Sequence, residues 1–342
     1  MNLIKPPKLH PGDTIATVSP AWGCAGDAKI RWRYDLGVRR LYEDFGLNVK
    51  PMPYSLRGAD YLFANPQARA EDLMTAFADP SIKGIIANIG GNDSIRLLPY
   101  IDEKVIRENP KIFIGYSDIM SVHLMCQKAG LATFYGANLL PNLGDPQGLH
   151  PYTKNWFEKA LFHAEPLGTI ATAEEYTADP IDYTDKAQQR QYHPTKVECL
   201  QGSGKVTGRL YGGHTGLMYM PDDLLWFLKE PNIILFFEDI VECVKPDDIG
   251  DFFKWLDTRG VTKNINGIVF GRFDEYPENM AYRQATINAL RDVRLENIPV
   301  LWNMSFGHTT PICVIPYGTL AEIDCGSVRF HILEMGLSEN GD

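Results

Sequence analysis

Ser117 lies in a short turn between an apolar run and a helical pattern, in the segment NPKIFIGYSDIM (109–120). Ser117 or Asp118 could simply cap the helix, because a small oxygen-bearing side chain satisfies the N–H groups of a first helical turn. Alternatively, a serine on such an elbow is exposed beside backbone N–H groups that can hold an oxyanion, as a nucleophile requires. The turn by itself favours the cap.

An acid and a base follow two other apolar runs. Glu238 ends the run in NIILFFEDI, and His308 follows a glycine in LWNMSFGHTTP. Taken singly, Glu238 could cap a helix or lie on the surface, and a lone histidine is usually structural or solvated. Together with Ser117, however, they are the residue types of an acyl-transfer triad, in which histidine takes the serine proton and the carboxylate orients the imidazole. Triads are defined by geometry, so the spacing does not decide the matter.

The glycine pair Gly90–Gly91 ends a further apolar run, in IANIGGND. Glycine allows a backbone N–H to approach a ligand closely, although an ordinary tight turn explains the pair equally well. The sequence contains no G-x-G-x-x-G after a strand and no H-E-x-x-H, and its eight histidines are scattered. We therefore expect neither a metal nor a cofactor.

The elements that must position these residues alternate between strand and helix in the first half of the chain. Such alternation predicts an α/β fold with an N-terminal, doubly wound parallel sheet. In such sheets ligands bind beyond the carboxyl ends of the strands, where IGGND and IGYSD lie. The predicted strands are 14–19, 48–53, 83–91, 111–115 and 131–136, and the predicted helices are 29–45, 65–78 and 117–129.

The second half begins after a polar segment at 167–196, which reads as a long connecting loop. Beyond it we predict strands at 206–213, 232–238, 265–273 and 299–303, helices at 247–258 and 280–295, and short antiparallel strands at the end. The predicted domains are 1–166, an α/β domain with the nucleophile; 167–200, the connecting loop; and 201–342, an α/β domain of mixed strands with the acid and base.

Composition restricts the partners. The chain has 342 residues and a formal net charge of −10, which argues against a nucleic-acid polymer as partner. The basic cluster RWRYDLGVRR (31–40) is expected to be a solvated helix face. No stretch approaches the roughly 18 apolar residues of a membrane span, and no signal core is evident, so we expect a cytoplasmic protein. The six cysteines form no C-x-x-C pair and are interpreted as mostly buried thiols, not a disulfide framework.

These motifs resemble, in the same order, the LD-carboxypeptidase family of serine peptidases. That family includes the muramoyl-tetrapeptide carboxypeptidases and the microcin C self-immunity carboxypeptidases. The resemblance covers nearly the whole chain and rests on KPPKLHPGDTIATVSPA, GGNDSIRLLPYID, NPKIFIGYSDI, ATFYG, G-x-L-x-GG at 208–213, LFFEDI and FGHTTP.

The resemblance implies a role for each residue of the site. Ser117 would be the nucleophile, Glu238 the orienting acid and His308 the general base. The oxyanion hole would be formed by the backbone N–H groups of Gly90 and Asp118. The resemblance further implies a cytoplasmic homodimer that needs no metal, with its triad assembled between the two domains.

Three features depart from the family pattern. His214 stands where the family usually has asparagine; it could contact substrate or be a turn residue, and the turn is favoured. Glu242 stands where a member acting on aspartyl-adenylates has lysine. The length of the loop resembles the microcin-immunity branch, but the tryptophan that often stacks on a base there is missing. The loop offers only Tyr176, Tyr183 and Tyr192.

The favoured hypothesis is a serine carboxypeptidase-like amidase of the microcin-immunity type, acting on a small peptide or a peptidyl-nucleotide. Gly91, His214, Glu242 and Tyr183 are its expected substrate contacts. The alternative within the family is an LD-carboxypeptidase that removes the terminal D-Ala from murein tetrapeptide. An alternative of another class is a non-catalytic ligand-binding protein on the same fold.

Overall fold

Two sheets organise the chain in the computed structural model, which describes residues 3–273 and 280–339. The first half supplies five strands that pair in parallel in the order β2-β1-β3-β4-β5. These strands are β1 (Thr14–Val18), β2 (Asn48–Pro51), β3 (Ile82–Ala87), β4 (Ile112–Gly115) and β5 (Phe134–Tyr135). The helices are α1 (Arg31–Phe45), α2 (Ala59–Ala64), α3 (Pro66–Ala78), α4 (Glu103–Glu108), α5 (Met120–Lys128) and α6 (Pro151–Phe162). All five strands predicted for this half are present.

Local sequence explains where the predicted helices begin and end. α3 begins at Pro66, since a proline in the first helical position lacks only an N–H that would have no partner in the helix. α1 ends at Gly46, whose φ of 68° is the left-handed conformation that glycine adopts without penalty. The strands β3 and β4 are buried along nearly their whole length, as expected for a parallel sheet covered by helices on both faces.

The segment 167–196 carries short strands that were not predicted. They are β6 (Gly168–Thr169), β7 (Glu175–Tyr176) and β8 (His193–Pro194), and β7 pairs with β8 in a two-stranded sheet. The side chain of Arg190 ties the segment to the rest of the protein through an ion pair with Asp145 and a hydrogen bond to Thr310 Oγ1. The connecting segment is therefore anchored at several points.

The second half forms an eight-stranded sheet in the order β6-β16-β15-β10-β11-β12-β13-β9. Its centre, from β10 to β13, is parallel, and the outer strands are antiparallel. The elements are β9 (Glu198–Gln201), β10 (Lys205–Gly213), β11 (Ile233–Phe237), α7 (Pro246–Thr258), β12 (Ile265–Gly271), α8 (Met280–Asp292), β13 (Val300–Met304), β14 (Ile315–Pro316), β15 (Leu320–Asp324) and β16 (Arg329–Ile332). β14 crosses to the first sheet and pairs antiparallel with β5. This confirms the predicted α/β class with a mixed second sheet.

Two expectations from the sequence are wrong in part. Arg31 and Arg39 in the basic cluster of α1 are exposed, as expected. Arg33, however, is fully buried, and its Nε donates to the carbonyls of Leu140 and Gly144. A disulfide joins Cys199 on β9 to Cys325 just after β15, with Cα atoms 5.4 Å apart. Spacing gave no sign of this pair, because the two cysteines lie 126 residues apart and are brought together only by the sheet.

In the described part of the chain, none of the helices combines the length and apolar character needed to cross a membrane.

Candidate active site

Ser117 occupies a sharp turn between β4 and α5 with a φ of 69°, a conformation that non-glycine residues rarely adopt. Contacts on both sides hold its backbone in place. Its N–H donates to the hydroxyl of Tyr135 at 3.1 Å, and its C=O accepts from Nε2 of His214 at 3.2 Å. Such strained positions persist when surrounding contacts over-determine them, and they place the side chain at an exposed corner.

The hydroxyl of Ser117 starts a chain of hydrogen bonds through His308 to Glu238. Ser117 Oγ lies 2.9 Å from His308 Nε2, and His308 Nδ1 lies 2.7 Å from Glu238 Oε2. An ionised carboxylate can only accept, so Nδ1 of His308 donates to Glu238. Nε2 of the neutral imidazole is then left as the acceptor for the serine proton.

Glu238 is completely buried, and each of its oxygens has a donor. Oε2 accepts from His308, and Oε1 accepts from the hydroxyl of Tyr135. Burial by itself raises the pKa of Glu238, but the charge and hydrogen bond of His308, followed by His214 and Tyr135, outweigh it and hold that pKa below its ordinary value. Glu238 is therefore ionised at neutral pH.

The two sheets present the carboxyl ends of their parallel strands to one another, and this brings the three side chains together. Ser117 follows β4 in the first sheet, whereas Glu238 follows β11 and His308 follows β13 in the second. Gly271 and Gly307 allow the close packing: an added Cβ would come within 2.7 Å of Glu238 Cβ at Gly271 and 2.5 Å of Oε2 at Gly307. The site therefore lies between the two halves of the chain.

Gly90 lies directly against the serine, and Gly91 lies against Trp22. A Cβ on Gly90 would be 2.7 Å from Ser117 Cβ and 2.8 Å from Oγ, and one on Gly91 would be 2.8 Å from the backbone nitrogen of Trp22. The side chain of Asp118 accepts from the N–H groups of Asp93 and Ser94, and thus joins the glycine loop to the elbow. The sequence suggested that Asp118 caps the helix that follows it. Instead, Asp118 caps the short helix at Ser94–Tyr100.

A cavity of about 180 Å³ opens at Ser117 and His308. Trp22 and Tyr183 stand on its wall, with their rings edge to face and their centroids 6.0 Å apart. The cavity is lined by Trp22, Ile89, Gly90, Gly91, Tyr116, Ser117, Asn138, Pro141, Tyr183 and His308. A second cavity, of about 410 Å³, shares Trp22 and Gly91 with the first and extends towards Phe63. The two cavities together offer room for a ligand that reaches well beyond the serine.

The three loop tyrosines lie in different places. Tyr183 lines the Ser117 cavity, and the buried guanidinium of Arg33 lies 5.0 Å from the centre of its ring. Tyr176 is buried against Arg272, and Tyr192 lines a separate cavity and stacks on a histidine. Of the three, Tyr183 is the one placed beside the serine.

His214 and Glu242 do not line the cavity at Ser117. His214 accepts from the N–H of Gly216 through Nδ1, so Nε2 carries the proton that it donates to Ser117. It thus begins the short helix Thr215–Tyr219 and supports the elbow from outside the cavity. Glu242 is exposed in the turn that follows β11.

Two residues of the site were missed from the sequence. Trp22 could have been found, because it follows β1 at the point where the strand order reverses between β1 and β3, and ligands bind at such switch points. Tyr135 gave no such signal, since an aromatic residue in a strand is most simply a core residue. Within residues 3–273 and 280–339, no group of three or more His, Cys, Asp or Glu side chains could hold a metal ion.

Residues 15–136 match the family model of the LD-carboxypeptidase N-terminal domain, and residues 207–323 match that of the LD-carboxypeptidase C-terminal domain. The chain therefore belongs to the LD-carboxypeptidase family of peptidases, which confirms the resemblance noted in the sequence.

Individual relatives match over almost their full length. The chain is 30% identical to the microcin C7 self-immunity protein MccF of Escherichia coli, covering 96% of both chains. It is 28% identical to a probable murein peptide carboxypeptidase of Bacillus subtilis, covering 98% of this chain and 96% of the relative. Among solved structures, an MccF-like protein from Streptococcus pneumoniae in complex with AMP matches with a TM-score of 0.82 and 30% identity, covering 94% of this chain and 98% of the other.

Proposed function

We propose that this protein is a serine-type carboxypeptidase that hydrolyses an amide bond of a peptidyl-nucleotide, in the manner of the microcin-immunity branch. The observation that carries this proposal is the continuous hydrogen-bonded chain from Ser117 Oγ through His308 to the buried Glu238. A binding protein would have no need of a strained serine aligned with an oriented imidazole.

The proposed mechanism follows from the donor and acceptor roles of the chain. Ser117 Oγ attacks the amide carbonyl carbon while its proton passes to Nε2 of His308. Glu238 stabilises the imidazolium that results. The oxyanion is held by the backbone N–H groups of Gly90 and Asp118. Collapse breaks the C–N bond, and His308 gives its proton to the leaving amine; water then releases the acyl group by the same steps in reverse.

The aromatic wall of the cavity supports a substrate with a planar base. Trp22 is 42% exposed and borders both cavities, and Tyr183 lies beside it. A base could therefore stack in this cleft although the loop has no tryptophan, because Trp22 comes from the end of β1 instead. The AMP complex of the pneumococcal relative supports the same ligand class.

Removal of D-Ala from murein tetrapeptide is the second candidate. It is supported by the relative described as a probable murein peptide carboxypeptidase, which aligns over 96% of its length. The acidic Glu242 also stands where the member acting on aspartyl-adenylates has lysine.

We further propose the cytoplasmic homodimer that the resemblance implies. Light scattering of the purified protein would check the dimer.

The test is a comparison of the protein with its Ser117→Ala variant on both substrates. We expect Ser117→Ala to lower turnover by at least about 10³-fold, because the nucleophile and its base act as a unit. Mass spectrometry would follow release of the nucleotide amine from a peptidyl-adenylate and of D-Ala from murein tetrapeptide. A variant at the exposed, remote Ser81, Ser81→Ala, should keep full activity and serves as the matched control.

The outcomes separate the candidates. Release of the nucleotide amine that depends on Ser117 supports the proposal, whereas release of D-Ala alone assigns the protein to cell-wall recycling. If neither product depends on Ser117, but the variant still binds the adenylate, the protein is a binding protein and the proposal is wrong.

A further inference from the structure

The hydroxyl of Tyr135 contacts two separate parts of the site at once: the backbone of Ser117 and the carboxylate of Glu238. We propose that Tyr135 is a positioning residue, which holds the acid and the nucleophile elbow in register and sets the proton affinity of the Glu238–His308 pair. This inference rests on the proposed function, since it concerns how the same three side chains work.

The direction of each hydrogen bond follows from the groups involved. The N–H of Ser117 can only donate, so the phenol oxygen accepts from it. The carboxylate of Glu238 can only accept when it is ionised, so the single phenol proton points to Oε1. The hydroxyl of Tyr135 therefore accepts one hydrogen bond and donates another, and phenylalanine could make neither contact.

The ring of Tyr135 has little freedom to move. The residue is fully buried and pairs with Gly115 on β4, two residues before Ser117. Rings surround it, with centroids 5.4 Å away at Phe236, 6.0 Å at His123 and 6.1 Å at Tyr317. Because Tyr135 belongs to the first sheet and Glu238 to the second, the phenol fixes one sheet against the other independently of His308.

Two consequences follow for the reaction. The N–H of Ser117 is already engaged, so it does not serve the oxyanion, which is left to donors such as the N–H groups of Gly90 and Asp118. The phenol also stabilises the carboxylate of Glu238 in its charged form, and a donor to the charged form lowers the affinity of the Glu238–His308 pair for a proton.

Two other tyrosines and a histidine lie near the Glu238–His308 pair. The ring centroids of Tyr116 and His308 are 5.2 Å apart, and the hydroxyl of Tyr317 donates to the C=O of Gly212. Burial, reinforced by the charge of Glu238, holds the pKa values of Tyr116 and Tyr317 well above the ordinary value of tyrosine, so both stay neutral. His214 remains as a second group near the elbow, and its contribution has to be separated by experiment.

The test measures how fast a fluorophosphonate labels Ser117 as a function of pH, a readout that requires no knowledge of the substrate. For Tyr135→Phe we expect the second-order labelling rate to fall about 10- to 100-fold, since the serine and acid lose their alignment. We also expect the acid limb of the profile to move to higher pH by roughly half a unit to one unit, because a donor to the carboxylate is gone.

A second variant should shift the acid limb in the opposite direction, and it nearly preserves the shape of the tyrosine side chain. Site-specific replacement of Tyr135 by 3,5-difluorotyrosine makes the phenol a stronger donor, so the acid limb should move to lower pH. Burial, followed by the charge of Glu238, raises the pKa of Tyr135 well above 10, which keeps the phenol protonated. This variant keeps the test decisive if Tyr135→Phe does not fold.

Controls distinguish positioning from a general loss of packing. Tyr317→Phe also removes a buried hydroxyl beside Glu238 but should leave the acid limb in place. Repeating Tyr135→Phe in a His214→Asn background should give a shift of the same size. Unchanged labelling rates and limbs in both Tyr135 variants would overturn the proposal, whereas absence of Ser117-dependent labelling in the unmodified protein would overturn the proposed function itself.

Discussion

The surroundings of Glu238 and Ser117 leave both residues little freedom to move. Glu238 has no exposed surface, and both its oxygens are engaged. Ser117 is held at a left-handed φ by contacts to its N–H and C=O. Preorganisation of this kind means that little reorganisation is needed when charge develops in the proposed reaction.

Gly90 leaves no room for a side chain beside Ser117. Gly90→Ala places a Cβ within 2.8 Å of Ser117 Oγ, so the loop must shift and its N–H must leave the oxyanion position. We expect kcat/KM to fall by about 10²- to 10³-fold, the usual cost of losing one oxyanion donor. Gly250→Ala is the matched control, because an added Cβ there meets nothing within 4 Å. Wild-type kcat/KM in Gly90→Ala would contradict the proposed oxyanion hole.

The segment 167–196 leaves the second sheet after its edge strand β6 and reaches the candidate site. Thr177 exchanges two backbone hydrogen bonds with Thr310, two residues after His308. The backbone carbonyl of Asp182 accepts from Arg33, next to Tyr183 on the cavity wall. The segment thus supports the base of the proposed triad and completes the cleft.

The ion pair between Arg190 and Asp145 is the buried anchor of this segment, with both side chains only 3% exposed. We expect Arg190→Met to lower the free energy of unfolding by about 3–5 kcal/mol, because the charge of Asp145 is left buried without its partner. The double variant Arg190→Met/Asp145→Asn should cost less than that single change. Urea denaturation would measure both.

An exposed ion pair gives the comparison for this anchor. Arg259 and Asp222 are 38% and 78% exposed, so Arg259→Met should change stability by no more than about 1 kcal/mol. Equal losses in the two arginine variants, or a double variant as unstable as Arg190→Met, would show that burial of the anchor charge is unimportant.

At the scale of the whole molecule, the two sheets meet at the candidate site, and a disulfide lies away from it in the second half. The disulfide between Cys199 and Cys325 links β9 to the end of β15, two strands that four others separate in the order of the second sheet. Cys199 pairs with Leu301 near the start of β13. Cys325 directly follows Asp324, which pairs with Lys205 at the start of β10. The bridge therefore lies near the starts of the parallel strands, whereas Ser117 lies beyond the carboxyl ends.

The boundaries 1–166, 167–200 and 201–342 remain our proposal for the domains.

Loss of this bridge should affect stability rather than chemistry. We expect Cys199→Ser/Cys325→Ser to lower the free energy of unfolding by roughly 2–4 kcal/mol, since the cross-link constrains a long stretch of the unfolded chain. Labelling of Ser117 by a fluorophosphonate should be unchanged in the folded variant. Dithiothreitol should destabilise the unmodified protein by a similar amount and leave the variant unaffected; equal stability of the two proteins without reductant would contradict the bridge.

Short-range patterns in the sequence determined the fold class and the candidate residues of the site. The period of apolar residues, Asn65-Pro66 before α3 and Gly46 after α1 predicted where elements begin and end, because these preferences act within one or two turns of chain. The same patterns placed Ser117, Glu238 and His308 after strands, at the edge of a sheet where sites are built.

Only the tertiary structure decided which side chains meet. Tyr135 and Glu238 are 103 residues apart, and Trp22 reaches Tyr183 from another part of the chain. The burial of Arg33 and the pairing of Cys199 with Cys325 also depend on long-range packing. An aromatic, basic or thiol side chain has the same local pattern whether it fills a core, anchors a loop or positions a catalytic acid, so its role becomes visible only when distant strands are packed together.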